Sequence, residues 1–249
     1  MKTALFNANA KDLYRLKLEL SGIVIIVGAY GSGKTEVAVN LAVHMNARGT
    51  PVRLADLDLV NPYFRTREAR HSLSRLGIDV VLPPAQYMQA DLPILTPEVS
   101  GMLRRPAGLT LLDVGGDDVG ATVLAALADA MQGQAVQVLQ VINPNRPYTE
   151  TVAGCLTIRD AIEAKAKMKI TGIVGNANLI EETTADDIIA GYRFARQVAE
   201  AARVPLVFVT ALQTLLAGLD ERNIQCPILP LRRQLVPPWK LAEAFEPAV

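Results

Sequence analysis

Residues 28–35 read Gly-Ala-Tyr-Gly-Ser-Gly-Lys-Thr, the spacing G-x-x-x-x-G-K-T. A β-branched run over 23–27 precedes them and a helical pattern follows, the context in which this spacing makes a phosphate site. Glycines let successive backbone N–H groups turn inward, so the loop becomes a concave anion site at a helix N-terminus. The expected cradle runs through Gly28, Ala29, Tyr30, Gly31, Ser32, Gly33, Lys34 and Thr35 to Glu36. Lys34 can reach the β- and γ-phosphate oxygens, and the Thr35 hydroxyl can ligate Mg²⁺. A nucleoside triphosphate is the ligand these residues imply.

Acidic and small residues recur where other apolar runs stop. Asp113 ends the run 109–114, where a carboxylate would hold Mg²⁺ directly or through water. Gly115 and Gly116 follow, and a backbone amide there could approach the γ-phosphate. Asp56 and Asp58 alternate at the end of the run 52–57, so they face opposite ways or straddle its end. One of them can then orient an attacking water, and also sit near the metal, while the other packs or caps. Positioning that water demands less than a strong base would supply. Asn176, after the run 170–174, can pair with an adenine edge, and Asn178 is a second candidate. Asparagines at strand ends are also common turn formers. No N-K-x-D follows that strand, so the carboxylate that reads guanine is missing, which favours ATP over GTP.

The elements that must carry these residues alternate along the chain. Val37, Leu41 and Met45 recur at helical spacing, and Gly49 then Pro51 end that helix. Strands are expected over 52–57, 78–82, 109–114, 136–142, 170–174 and 206–209. Between them lie helical patterns, including 149–168 and one opened by Thr184 with Ile188, Ile189, Tyr192, Ala195 and Ala199 on one face. Alternating strand and helix predicts an α/β fold, a mostly parallel sheet flanked by helices on both faces, with its site at the strands' carboxyl ends. Residues 1–20 read as an arm or edge strand, and the proline-rich 227–249 as a tail extended over the surface. The connection 83–97 is long for a compact domain.

At 249 residues, with half of them hydrophobic and 20% charged, the chain has the profile of one P-loop α/β domain. Lys+Arg and Asp+Glu balance at 25 each, which argues against a dedicated nucleic-acid surface. Cys155 and Cys226 show no disulfide framework and no metal-ligand spacing. No apolar run approaches a membrane span, and the first residues lack a signal-like apolar core, so a cytoplasmic location is expected. His44 and His71 read as helix-face residues, Cys155 as core, and Trp239 as an anchor for the tail.

Together, GAYGSGKT, the D-L-D at 56–58 and the LLDVGG at 111–116 resemble the MinD/ParA/nitrogenase-iron-protein class of P-loop nucleotidases, often called SIMIBI. The resemblance implies a Mg-ATP-dependent ATPase and switch that forms a homodimer face to face around nucleotide and serves a protein client. It maps Asp58 to the water-positioning switch I residue, and Asp113, Gly115 and Gly116 to switch II. Many members carry a lysine where this chain has Ala29, and that lysine reaches across to the partner's phosphates. Arg65 or Arg67 could supply that cation, or both are solvated helix-face residues. A different reading is a small-molecule kinase or ATP-dependent ligase, with an acceptor site from 83–97, Arg104 and Arg105.

Overall fold

The computed structural model describes residues 18–58, 66–82, 97–116, 118–219 and 223–234. Eight strands form one sheet in the order β3-β2-β4-β1-β5-β6-β7-β8, and every pairing is parallel. They are β1 (Gly22–Gly28), β2 (Val52–Leu57), β3 (Asp79–Val81), β4 (Leu109–Val114), β5 (Val136–Ile142), β6 (Gly172–Gly175), β7 (Leu206–Leu212) and β8 (Ile228–Leu231). Crossover helices are α1 (Lys34–Ala47), α2 (Thr66–Arg75), α3 (Pro97–Arg104), α4 (Asp118–Leu127), α5 (Val152–Ala166) and α6 (Ala185–Ala202). The expected α/β architecture is therefore observed.

Period-two alternation along β1 sorts its side chains between two cores. Ile23, Ile25 and Val27 join Val99, Met102, Leu124 and Val198 on one face. Val24 and Ile26 join Val37, Leu41, Leu73 and Phe208 on the other. A parallel strand covered on both faces reads as a largely apolar run, as β1, β4 and β5 do. This is why 52–57, 109–114 and 136–142 coincide with observed strands to the residue. Helix α1 is buried almost all round, from Lys34 through Ala42 apart from Glu36, because α2 and β8 flank it beneath the sheet. Helix α6 opens on a capping box in which the Thr184 side chain accepts from the Asp187 amide and the Asp187 carboxylate accepts from the Thr184 amide.

One expectation needs correction. Residues 228–231 are not part of a surface tail: they form β8, with Ile228, Leu229 and Leu231 buried. Pro227 and Pro230 disguise this strand, and its edge position accommodates them because only one side needs ladder hydrogen bonds. The helical pattern read over 149–168 is observed over Val152–Ala166, with Thr151 as its N-cap, and a 3₁₀ segment, Gln213–Gly218, follows β7. The strand forecast at 170–174 is observed over Gly172–Gly175, and that at 78–82 over Asp79–Val81. The arm 1–17, Arg65, most of the 83–97 connection and Trp239 lie outside the described residues, as does the side chain of Arg67.

What seats β8 is a buried carboxamide. Asn40 of α1 donates through Nδ2 to the Arg232 carbonyl (3.1 Å) and accepts the Arg232 amide at Oδ1 (2.8 Å). Glu36 Oε1 accepts the Gln234 amide at 2.8 Å. Removing Asn40 strands both Arg232 backbone groups. Asn40→Ala is expected to cost about 1–3 kcal/mol, read as a lower denaturant midpoint.

Both cysteines are buried. Burial pushes the Cys155 thiol up to about 11 and the Cys226 thiol up to about 12, from an ordinary 9.0. The folded chain therefore holds these protons more tightly than the unfolded one. That contribution to stability is complete below pH 9 and is lost as pH rises through about 11 for Cys155 and about 12 for Cys226. Neither thiol should react with a thiol reagent at pH 8 until the protein is denatured. His44 is half-buried, and burial followed by the charge of Arg48 lowers its pKa.

Candidate nucleotide site

The loop leaving β1 folds as a nest because two glycines occupy positions closed to other residues. Gly33 has φ 88°, and a Cβ there would collide with the Asn176 amide nitrogen. At Gly28, φ 148°, a Cβ would collide with the Val141 carbonyl and lie 3.1 Å from Ser32 Oγ. Gly33 then stands as the N-cap of α1, and no side chain caps that helix end. A helix N-terminus without a side-chain cap favours an anion, with the helix dipole adding to the attraction.

Lys34 and Thr35 are buried at the start of α1, and Lys34 Nζ donates to the Ala29 carbonyl at 3.0 Å. Across from them, Gly116 follows β4 so closely that a Cβ would lie 2.6 Å from Lys34 Nζ and 2.9 Å from the Tyr30 amide. A side chain at 116 has no room, which brings the backbone after Asp113 against the phosphate loop as the L-L-D-V-G-G spacing suggested. Gly115 is pinned in turn, since a Cβ on Gly120 would overlap its carbonyl.

The acidic residues divide their tasks by position. Asp56 and Asp113 sit opposite each other in the β2–β4 register, and both are fully buried. Asp56 Oδ1 accepts the Asp58 amide at 3.1 Å and so closes the turn that ends β2. Asp58, also buried, lines the cavity over the phosphate loop. Of the two alternating carboxylates, Asp56 caps and Asp58 faces the ligand space. Among the described residues no group of three or more His, Cys, Asp or Glu side chains converges to form a metal cage. The Thr35 hydroxyl with one carboxylate fits Mg²⁺, which keeps waters and phosphate oxygens in its shell and seldom uses an all-protein cage.

The cavity holds about 480 Å³, enough for a mononucleotide. Tyr30, Lys34, Thr35 and Asp58 line it together with Asn178, Leu212, Leu231 and Arg233. Asn176 lines it too, but its carboxamide is committed: Nδ2 donates to the Ser32 carbonyl at 2.7 Å, and Oδ1 accepts from Thr210 Oγ1 at 2.5 Å. Its observed work is to hold the phosphate loop. Asn178 Oδ1 accepts the Ile180 amide at 2.5 Å, a local turn. Glu36 lines the cavity while its carboxylate also binds Asn40 and the strap after β8. Arg233 pairs with Glu181 at 3.0 Å, an exposed contact of small energetic weight.

Several lining residues escape a reading of the sequence. Asn143 and Arg146 belong to N-P-N-R-P after β5, which reads as a turn, although its place at a strand's carboxyl end was the available signal. Leu231 and Arg233 were hidden with β8. Conversely, Arg104 and Arg105 stand just before β4 begins, and the Arg104 carbonyl accepts from Gln134 just before β5. They lie at the amino ends of the strands, the opposite end from the phosphate loop, so they build no acceptor site there.

No protein-family model matches the chain, and a search of curated proteins finds no match. Solved structures do resemble it. The cell division protein FtsY of Thermotoga maritima is 17% identical with a TM-score of 0.53, over 84% of this chain and 69% of that one. Chloroplast FtsY of Physcomitrella patens is 19% identical with a TM-score of 0.52, over 84% and 67%. The Signal Recognition Particle 54 kDa protein of Aeropyrum pernix, in complex with GDP, is 16% identical with a TM-score of 0.50, over 83% and 46%. At these identities the likeness establishes the fold alone, a parallel sheet flanked by helices as in P-loop NTPases.

Since the Asn176 amide supports the loop, Asn176→Ala should weaken Mg-nucleotide binding by about tenfold and lower stability by about 1–3 kcal/mol. Calorimetric titration and thermal denaturation would measure the two effects.

Proposed function

We propose that this chain is a Mg-ATP-binding ATPase that works as a nucleotide-dependent switch for a protein client. One observation carries the reading: Asp58 after β2 and the Lys34-Thr35 pair at the start of α1, all buried, face one cavity of nucleotide size. Lys34 and the loop amides would bind the phosphate chain, Thr35 and Asp113 would hold Mg²⁺, and Asp58 would orient the attacking water. Magnesium, when bound, would neutralise charge that develops on the phosphate oxygens. Asp56 fixes the turn that presents Asp58, and Gly116 allows the switch-II-like backbone to reach the loop.

Adenine is the base the reading assigns. Asn176-Ala177-Asn178 stands where a guanine-reading N-K-x-D would be, and Glu181, a carboxylate at that end, is engaged by Arg233. The Aeropyrum pernix relative was solved with GDP, so base choice is part of the proposal and is tested with both nucleotides.

Pairing of two copies in the ATP state is supported by where apolar surface is exposed. Among the described residues the large exposed apolar side chains are Tyr30 (76%), Tyr148 (81%), Leu179 (39%) and Ile180 (41%). All four stand on loops leaving the carboxyl ends of β1, β5 and β6, around the cavity mouth. Apolar surface gathered on one face marks an interaction surface. No helix among the described residues is long and apolar enough to cross a membrane. The cytoplasm remains the proposed location.

Lys34→Ala should weaken Mg-ATP binding by about a hundredfold, the loss of a charge-assisted phosphate contact. Asp58→Ala should bind within a few-fold of the parent and hydrolyse about a hundredfold more slowly. Phosphate release and nucleotide titration, each with ATP and GTP, separate these effects. Normal turnover in Asp58→Ala would remove Asp58 from the water-positioning role.

A further inference from the structure

Arg146 stands beside the phosphate loop. Its Cδ and Nε lie 3.7 Å from the position of a Cβ on Gly31, and the side chain lines the nucleotide cavity. Arg146 Nε is fully buried and has no hydrogen-bond partner among the described residues. A buried charged donor without an acceptor is costly, so this nitrogen points to an acceptor supplied from outside the chain.

The loop that carries Arg146 is built to hold it. Asn143 Oδ1 accepts the Asn145 amide at 3.0 Å, and Asn143 Nδ2 donates to the Asn178 carbonyl at 3.0 Å. Thr149 Oγ1 donates to the Asn143 carbonyl at 2.6 Å and lies 2.9 Å from the Arg146 carbonyl. Tyr148 adopts a left-handed backbone, φ 69°, and its carbonyl packs so closely on Gly154 of α5 that a Cβ there would not fit. A non-glycine residue held at positive φ costs free energy, and such strain gathers at ligand clamps. The backbone of 143–149 is thus over-determined around an arginine whose Cδ and Nε stand against Gly31 of the phosphate loop.

We propose that Arg146 is a second phosphate-binding cation, donating from its guanidinium to an oxygen of the bound nucleotide's phosphate chain in the same subunit. This rests on the nucleotide-binding reading given above. Arginine suits the task because its charge persists at every physiological pH and its fork can hold two oxygens.

The test titrates the full-length chain with a fluorescent non-hydrolysable Mg-ATP analogue, comparing the parent with Arg146→Ala, Arg146→Gln and Arg146→Lys. The expected result is affinity about tenfold weaker in Arg146→Ala and Arg146→Gln, with partial retention in Arg146→Lys. Added guanidinium ion should restore part of the lost affinity in Arg146→Ala, which a packing defect would not allow. Thermal denaturation without nucleotide reports on folding, and if Arg146→Ala melts early, Arg146→Gln and Arg146→Lys decide. Parent-like affinity in Arg146→Gln overturns the assignment and leaves nucleotide binding intact. A parent chain that binds no nucleotide overturns both.

Discussion

The Asn176 carboxamide joins three strands at their carboxyl ends. It donates to the Ser32 carbonyl in the loop after β1 and accepts from Thr210 on β7, while its own amide bonds to Ile142 at the end of β5. These groups are buried, so each bond is expensive to lose and the loop has little freedom to unwind. A phosphate nest made of main-chain amides works only if the backbone is already bent when the anion arrives. The left-handed Gly33 lies against the same carboxamide, and the β1–β5 pairing sets Gly28 against Val141.

From there the architecture explains the rest of the site. A parallel sheet with both faces covered sends every strand's carboxyl end to the same edge. β1 brings the phosphate loop, β2 Asp58, β4 Asp113 with Gly116, β5 Arg146, and β6 with β7 the support beneath. Helix α1 then passes the arrangement onward. Thr35 and Glu36 are consecutive, and Glu36 holds the Gln234 amide of the strap after β8. The phosphate loop and the segment leaving the last strand are therefore parts of one hydrogen-bonded unit.

How much of this was legible depended on how far each signal was local. Strands β1, β2, β4 and β5 were readable because a doubly covered strand is mostly apolar on both of its faces. The G-x-x-x-x-G-K-T loop and the Asp113-x-Gly-Gly stretch were readable because glycine at fixed offsets has a backbone reason. Thr184 marked the start of α6. β8 was not legible, because its prolines are acceptable only at an edge, and edge position is a property of the whole sheet. Asn176 looked like a base reader or a turn former, and its role depends on Thr210, 34 residues away. Arg146 sat in a turn whose importance appears only when β5 is placed beside β1.

The most direct test of the switch is solution mass by light scattering, first with Mg-ADP and then with a non-hydrolysable Mg-ATP analogue. The account predicts a 26.8 kDa monomer with Mg-ADP and a doubled mass with the analogue alone. One unchanged mass in both states would contradict it, leaving a nucleotide-binding protein whose ligand does not control its assembly.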